Sequence, residues 1–323
     1  MDRRSWTLLL ILSAIWGASY MFIKVGLRDF DPVMVAFLRV AFAAVALMPV
    51  ALARDAFRGL GDRLPLLVLL AAVQAAGPWV LLALGQEEVS SSLAGILVAS
   101  TPIFTALLAI RVDQEERAQG LRLVGVLIGI GGVAMLLGLD LGGSQAALLG
   151  GLAIVLASLG YAIGGFIVKH RFADVQPIGV ATSVMIASSA LLLVPAAFAL
   201  PGDLDLAPVL SVITLGVVGT GITFVIFYEL MTTVGPARTF VVTYLAPAFA
   251  IVYGAVLLAE EITAATIGGL ALIVGGSYLA AEGRLPGATR PPAADVSPPP
   301  AVEAAAQPDS APRRSPSAAG RGR

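Results

Sequence analysis

Ten stretches of about twenty mostly apolar residues follow one another along this chain with only short connectors between them. They lie near 6–27, 33–53, 64–84, 91–110, 121–139, 147–168, 177–200, 207–228, 237–258 and 265–283. A run of that length matches the hydrocarbon thickness of a bilayer when helical, and its backbone groups are then satisfied within the segment. Barrel strands would alternate polar and apolar residues, whereas stretches such as 121–139 show no alternation. The expected fold is therefore an all-α integral membrane protein with ten transmembrane helices.

Composition closes the other routes. Of the 323 residues, 58% are hydrophobic and only 13% are charged, against about 25% charged in a soluble domain. Too little charge remains to cover a soluble globule of this size. The absence of cysteine excludes a disulfide scaffold. A pI near 5.9 with no basic block in the apolar part argues against nucleic acid as a partner. Arg3 and Arg4 precede the first span in the manner of a signal peptide, but its apolar stretch is too long, and an uncleaved first helix is expected.

Lysine and arginine set the orientation. Arg54, Arg58 and Arg63, then Arg111, Arg117 and Arg122, then Lys169, Arg171 and Arg238 fall in alternate connectors, with Arg3, Arg4 and Arg284 at the ends of the apolar region. The remaining connectors hold Lys24 and Arg28 alone, beside Asp29, Asp31, Glu87, Glu88, Asp203, Asp205, Glu260 and Glu261. Both termini are thus expected in the cytoplasm, in a cell inner (plasma) membrane. The net charge of −1 conceals a separation of charge across the bilayer. Residues 286–323, rich in proline and alanine, read as a disordered cytoplasmic tail.

Displacing the chain on itself by 145 residues aligns Trp16 with Tyr161, Lys24 with Lys169, Pro32 with Pro177, Pro102 with Pro247, and Glu115-Glu116 with Glu260-Glu261. After a one-residue slip, Gly125, Gly131 and Gly132 meet Gly269, Gly275 and Gly276. An odd number of spans per repeat places the halves in opposite orientations, so residues 1–140 and 141–285 are expected to be two inverted five-helix repeats. Inverted repeats suit a solute carrier that alternates between two similar packings.

Ala14-Ile15-Trp16-Gly17, Lys24, Asp31-Pro32 and Arg39, followed by Ser100-Thr101-Pro102, Glu116 and Gly125, resemble the opening half of an EamA-type transporter of the drug/metabolite transporter superfamily. Leu245-Ala246-Pro247, Glu260-Glu261 and Gly268-Gly269 continue the resemblance in the second half, which covers about residues 6–283. It implies ten helices in two EamA repeats and movement of small metabolites, often export of amino acids or related compounds. The small multidrug-resistance relatives carry a glutamate within their first span. No such glutamate stands here, which favours an exporter or exchanger working along its substrate gradient.

Candidate site residues follow from polarity inside the spans. Ser13, Trp16, Tyr20 and Lys24 share one face of the first span, and a lipid-facing stripe has no reason to be polar. Trp16, Tyr20, Trp79 and Tyr161 are expected to stack on substrate, and Gln74, Ser100 and Thr101 to hydrogen-bond it. Arg39 has two readings, a counter-charge for a substrate carboxylate or a structural tie reaching the membrane edge. Lys24 and Lys169 are expected near gates, and Pro102 and Pro247 as hinges. The glutamate pairs are expected to cap the fifth and tenth helices. Gly125-x-x-x-Gly129 and Gly160-x-x-x-Gly164 read as close-packing motifs. No nucleotide loop, metal cluster or catalytic constellation is present in the sequence, so no cofactor and no enzymatic activity are expected. The partners expected are a small-molecule metabolite and the lipid bilayer. The alternative is a membrane-embedded binding or sensory protein without net transport.

Overall fold

A computed structural model describes residues 1–112, 120–140 and 144–282. All regular structure among them is helical. We number the segments α1 (Arg3–Gly26), α2 (Pro32–Ala53), α3 (Gly61–Glu88), α4 (Ser91–Ile110), α5 (Leu121–Gly138), α6 (Gln145–Arg171), α7 (Pro177–Ala197), α8 (Leu206–Thr233), α9 (Val242–Leu257) and α10 (Ala264–Glu282). Nine of these are long and apolar enough to cross a bilayer; α9, expected over 237–258, is a shorter apolar helix. A separate helical turn, Pro236–Thr239, precedes it. Glu115-Glu116, Arg117, Arg284 and the expected tail lie outside the described residues.

Helix starts coincide with capping chemistry. The Asp2 carboxylate accepts from the Ser5 amide, Asp31 from Val33 ahead of Pro32, and Ser90 from Leu93. Thr263 and Thr266 cap α10 reciprocally, each hydroxyl accepting from the other's amide. This corrects the expectation for Glu260, which does not cap α10 and is used elsewhere.

The outward faces are apolar throughout. Val45, Leu127, Leu149, Leu193, Phe198 and Val256 are all exposed. In water a continuous belt of this kind would aggregate, while in lipid it is the solvated surface. The protein is a multi-pass membrane protein. Small residues bring the helices together. A Cβ on Gly125 of α5 would lie 2.6 Å from the Gly276 carbonyl of α10, and one on Gly276 would lie 2.5 Å from the Gly129 amide. Backbone therefore meets backbone, which only glycine permits.

The main helix pairs are α5 with α10, α1 with α9, α2 with α7, and α3 with α6, joined by α1–α8, α2–α8, α3–α7, α4–α6 and α4–α9 contacts. Two apolar clusters fill the bundle. One is built mainly from α2, α3 and α7, and the other gathers residues of α1 to α4, α6 and α8. Three irregularities interrupt the helices near the middle. α3 widens into a π-helical turn at Ala72–Ala76, α8 does so at Val217–Ile222, and α4 breaks at Ala99 and Ser100. Such turns free backbone groups and often mark functional sites.

Candidate functional site at the centre of the bundle

Arg39 stands about 10 Å along α2 from its start, at 1.5 Å per residue. The contacts of Arg39 run to α3 and α8. Its guanidinium carbon lies 3.9 Å from the centroid of the Trp79 ring on α3, a cation–π contact. Its Nε donates to Thr220 Oγ1 at 3.0 Å, on the π-helical turn of α8. Thr220 in turn donates to the Leu215 carbonyl at 3.0 Å, five residues back, a bond the widened turn makes possible. Tyr20 of α1 and Tyr161 of α6 lie within electrostatic reach of the same guanidinium, and the Trp79 indole reaches the Tyr161 hydroxyl. Five helices thus converge on one cation.

Arg39, Tyr20 and Tyr161 each keep part of their surface accessible. The terminal nitrogens Nη1 and Nη2 of Arg39 bond to no described residue and are not closed off. No carboxylate among the described residues pairs with them. Gln74, on the π-helical turn of α3, lies across Gly164 of α6, where a Cβ would stand 2.5 Å from its own. Its amide likewise bonds to no described residue and stays accessible. Gly160 admits the same turn, its Cβ position lying 2.6 Å from the Val73 carbonyl. The Gly160-x-x-x-Gly164 packing motif thus seats a polar side chain.

Trp16 is placed beside this centre rather than in it. Its ring is 5.5 Å from Phe227, which contacts Tyr228 at 5.6 Å and Phe240 at 5.9 Å. This aromatic cluster joins α1, α8 and the start of α9 over the apolar residues Leu9, Leu12 and Leu230. Ser100 and Thr101 serve the break in α4. Ser100 Oγ donates to the Leu97 carbonyl at 2.6 Å and Thr101 Oγ1 to Val98 at 2.8 Å. Ser277 of α10 donates to Ala99 at 2.6 Å, and Ser158 of α6 to Leu97 at 3.4 Å. Pro102, which lacks an N–H, is the second residue of the helix that resumes there. Pro247 lies within α9, buried and without a break at its own position.

The ends of the bundle carry polar clasps. Where α1 ends, Lys24 Nζ donates to the carbonyls of Gln86 at 2.5 Å and Val89 at 3.0 Å, covering the C-terminus of α3, where a cation is favoured. Beside it, Glu260 accepts from the Ser91 amide at 2.6 Å, the Ser92 amide at 3.0 Å and the Ser92 hydroxyl at 2.6 Å. It caps α4 across the bundle, in place of α10. These groups border a cleft of about 440 Å³ with Arg28, Gln86, Glu87 and Leu258. Near it Asp29 accepts from the Asp205 amide at 2.7 Å, at the start of α8. Where α1 begins, Arg63 grips Asp174 through two bonds of 2.7 and 2.6 Å, and Arg4 pairs with Glu229 at 2.5 Å. The Arg63 guanidinium holds the Asp174 carboxyl below the usual carboxylate range. Lys169 is exposed at the end of α6.

Thr220, Phe227 and the reach of Glu260 escaped the sequence reading. Asp29 and Asp174 were within its grasp, since they stand 145 residues apart like the other repeat pairs.

An apolar-surfaced helical bundle with Arg39 and aromatic rings among its helices is an architecture compatible with a membrane transporter. The chain belongs to the EamA-like transporter family, whose model matches residues 4–138 and again 148–281. It is 25% identical over 273 residues to the "Uncharacterized transporter YoaV" of Bacillus subtilis (strain 168), covering 83% of this chain and 93% of the relative. It is 27% identical over 297 residues to the "Probable amino-acid metabolite efflux pump" of Escherichia coli (strain K12), covering 86% and 95%. A crystal structure 19% identical in sequence shares the fold, with a TM-score of 0.61 over 87% of this chain and 98% of that one. Family and relatives point to a transporter rather than an enzyme.

Proposed function

We propose that the protein is a secondary transporter that exports or exchanges small carboxylate metabolites related to amino acids, binding them at Arg39 and alternating access between two inverted halves. The observation that carries this reading is the unneutralised guanidinium. A charge deep in a transmembrane helix costs on the order of 3 kcal/mol or more and is normally paired. Here the fork of donors is left open toward internal space, a geometry suited to a bidentate carboxylate. Trp79, Tyr20 and Tyr161 supply flat apolar surface around it, Gln74 a free amide, and Trp16 with Phe227 an aromatic wall on one side. Ser100 and Thr101 have their hydroxyl protons committed to α4 and offer substrate only acceptor lone pairs.

Several features support the inverted halves of residues 1–140 and 141–285. The family model matches once in each. The π-helical turns in the middle of α3 and α8 begin at Ala72 and Val217, 145 residues apart. Asp29 holds the start of α8 at one end of the bundle, and its mate Asp174 holds the start of α3 at the other. Exchanging α1–α5 for α6–α10 carries α5–α10, α2–α7 and α4–α9 onto themselves and the other main contacts onto ones that are also made: α1–α9 onto α4–α6, α3–α6 onto α1–α8, α2–α8 onto α3–α7. On this reading α9 is the tenth span, and arginine distribution puts both termini in the cytoplasm. Lys24 and Glu260 then close the outer side. Pro102 and Pro247 keep α4 and α9 able to bend, and Lys169 lies toward the inner end of α6.

Liposomes loaded with unlabelled amino acids or their carboxylate derivatives should accumulate external labelled solute by exchange. Arg39→Gln should weaken apparent affinity by roughly 10- to 100-fold, the worth of a charge-assisted bidentate contact. Binding without any flux, in well-sealed vesicles, would establish the sensory alternative instead.

A further inference from the structure

The charge balance of the central site says more about its substrate, on the reading that Arg39 receives a carboxylate. The groups that meet the guanidinium are Tyr20 from α1, Trp79 from α3, Tyr161 from α6 and Thr220 from α8. None of these is a carboxylate. The acids of the described residues stand at the ends of the helices and are largely committed there: Glu260 to Ser91 and Ser92, Asp29 to Asp205, Asp174 to Arg63, Glu229 to Arg4. Arg39 stays protonated at any working pH. Among the described residues, this cluster therefore holds one positive charge and no negative one.

A monocarboxylate that enters makes the centre neutral. A zwitterionic amino acid brings its carboxylate together with an ammonium about 6 Å from the guanidinium carbon, and the centre remains positive. Repulsion between two cations at about 6 Å and an effective dielectric near 20 corresponds to roughly a 100-fold penalty in affinity. The π-faces of Tyr20 and Tyr161 return only part of that, on the order of several-fold. We infer that the central site selects net-anionic deaminated acids, the 2-oxo and 2-hydroxy acids corresponding to amino acids, over the amino acids themselves.

Matched pairs on one carbon skeleton test this: phenylpyruvate and 3-phenyllactate against phenylalanine, and 4-methyl-2-oxopentanoate against leucine. Binding to the purified full chain in nanodiscs is followed by intrinsic tryptophan fluorescence, with Trp79 beneath the guanidinium. The deaminated member should bind at least about 10-fold more tightly. Raising the pH until the ammonium of the amino acid deprotonates should close the gap, while the deaminated partner, which controls for titration of Tyr20 and Tyr161, changes little. Arg39→Gln should bring the two members together by weakening the deaminated one, and the pH arm on the unaltered protein stands if that variant does not fold. Equal or tighter binding of the zwitterion across the pairs overturns the inference while leaving carboxylate recognition intact. Silence from both members of every pair strikes at carboxylate recognition by Arg39, and the inference falls with it.

Discussion

Replacing Gly254 with alanine should dislodge the cap that one half of the chain places on the other. Gly254 lies near the end of α9, and a Cβ there would overlap both Glu260 Oε2 and Ser92 Oγ. The carboxylate would have to leave the start of α4, giving up its bonds to the Ser91 amide, the Ser92 amide and the Ser92 hydroxyl. Bonds to a charged group are worth about 1.5–3 kcal/mol each before the released amides find water. The site is only half-buried, so water recovers much of that, and a lost helix cap alone costs about 1 kcal/mol. The net expectation is a loss of roughly 2–3 kcal/mol, on the order of 5–10 °C in melting temperature. Gly131→Ala is the control, because nothing lies within 4 Å of its Cβ position. It should be neutral or stabilising by up to about 1 kcal/mol. Thermal unfolding of the detergent-purified chain by tryptophan fluorescence reads both. A double-mutant cycle sharpens the result: once Glu260→Ala has removed the carboxylate, Gly254→Ala should cost much less. A Gly254→Ala protein within about 0.5 kcal/mol of the parent, or additive with Glu260→Ala, would refute the cap as the reason for this glycine.

Acid should undo the clasp at the opposite end. The Asp174 carboxyl is held below the ordinary aspartate value of 3.8 by Arg63, so its contribution is present above that value and is lost as pH falls through the lowered one. Asp174→Asn should therefore melt below the parent at neutral pH, with the difference closing only below pH 3.8 and shrinking in high salt. The break in α4 makes a second contrast. Ser277→Ala leaves the Ala99 carbonyl without its 2.6 Å partner and should cost about 1 kcal/mol, whereas Ser158→Ala, at 3.4 Å, should cost less than about half of that.

Much of the fold was legible because lipid imposes a simple rule on a chain. Each crossing must be a long apolar helix, so spans appear as composition, and caps such as Asp31-Pro32 mark their starts. The apolar run over 237–258 illustrates the limit. Averaged hydropathy does not report the break that separates Pro236–Thr239 from α9, because the long apolar run after it outweighs Arg238 and Thr239. The polar stripe on α1 was equally visible, yet helical spacing put Trp16 and Tyr20 on one face without saying that Trp16 would meet Phe227. A face specifies direction, and the neighbour depends on which helix packs there.

By itself, then, the amino-acid sequence determined the membrane class, nine helices among the described residues that are long and apolar enough to cross a bilayer, the charge asymmetry between the connectors and the pattern of residues that recurs at 145. These are properties of composition and period, and they survive any detail of packing. Only the tertiary structure decided the fate of individual polar groups. Arg39 had two readings from sequence; the fold sets its guanidinium over Trp79 and its Nε against Thr220 on a π-helical turn of α8. Glu260 stands just before α10, yet Thr263 and Thr266 already cap that helix, and Gly254 opens the path to α4. In a bilayer backbone groups are satisfied within each helix, but which partner a side chain meets depends on contacts distant along the chain, as for Arg39 with Thr220 and Glu260 with Ser92.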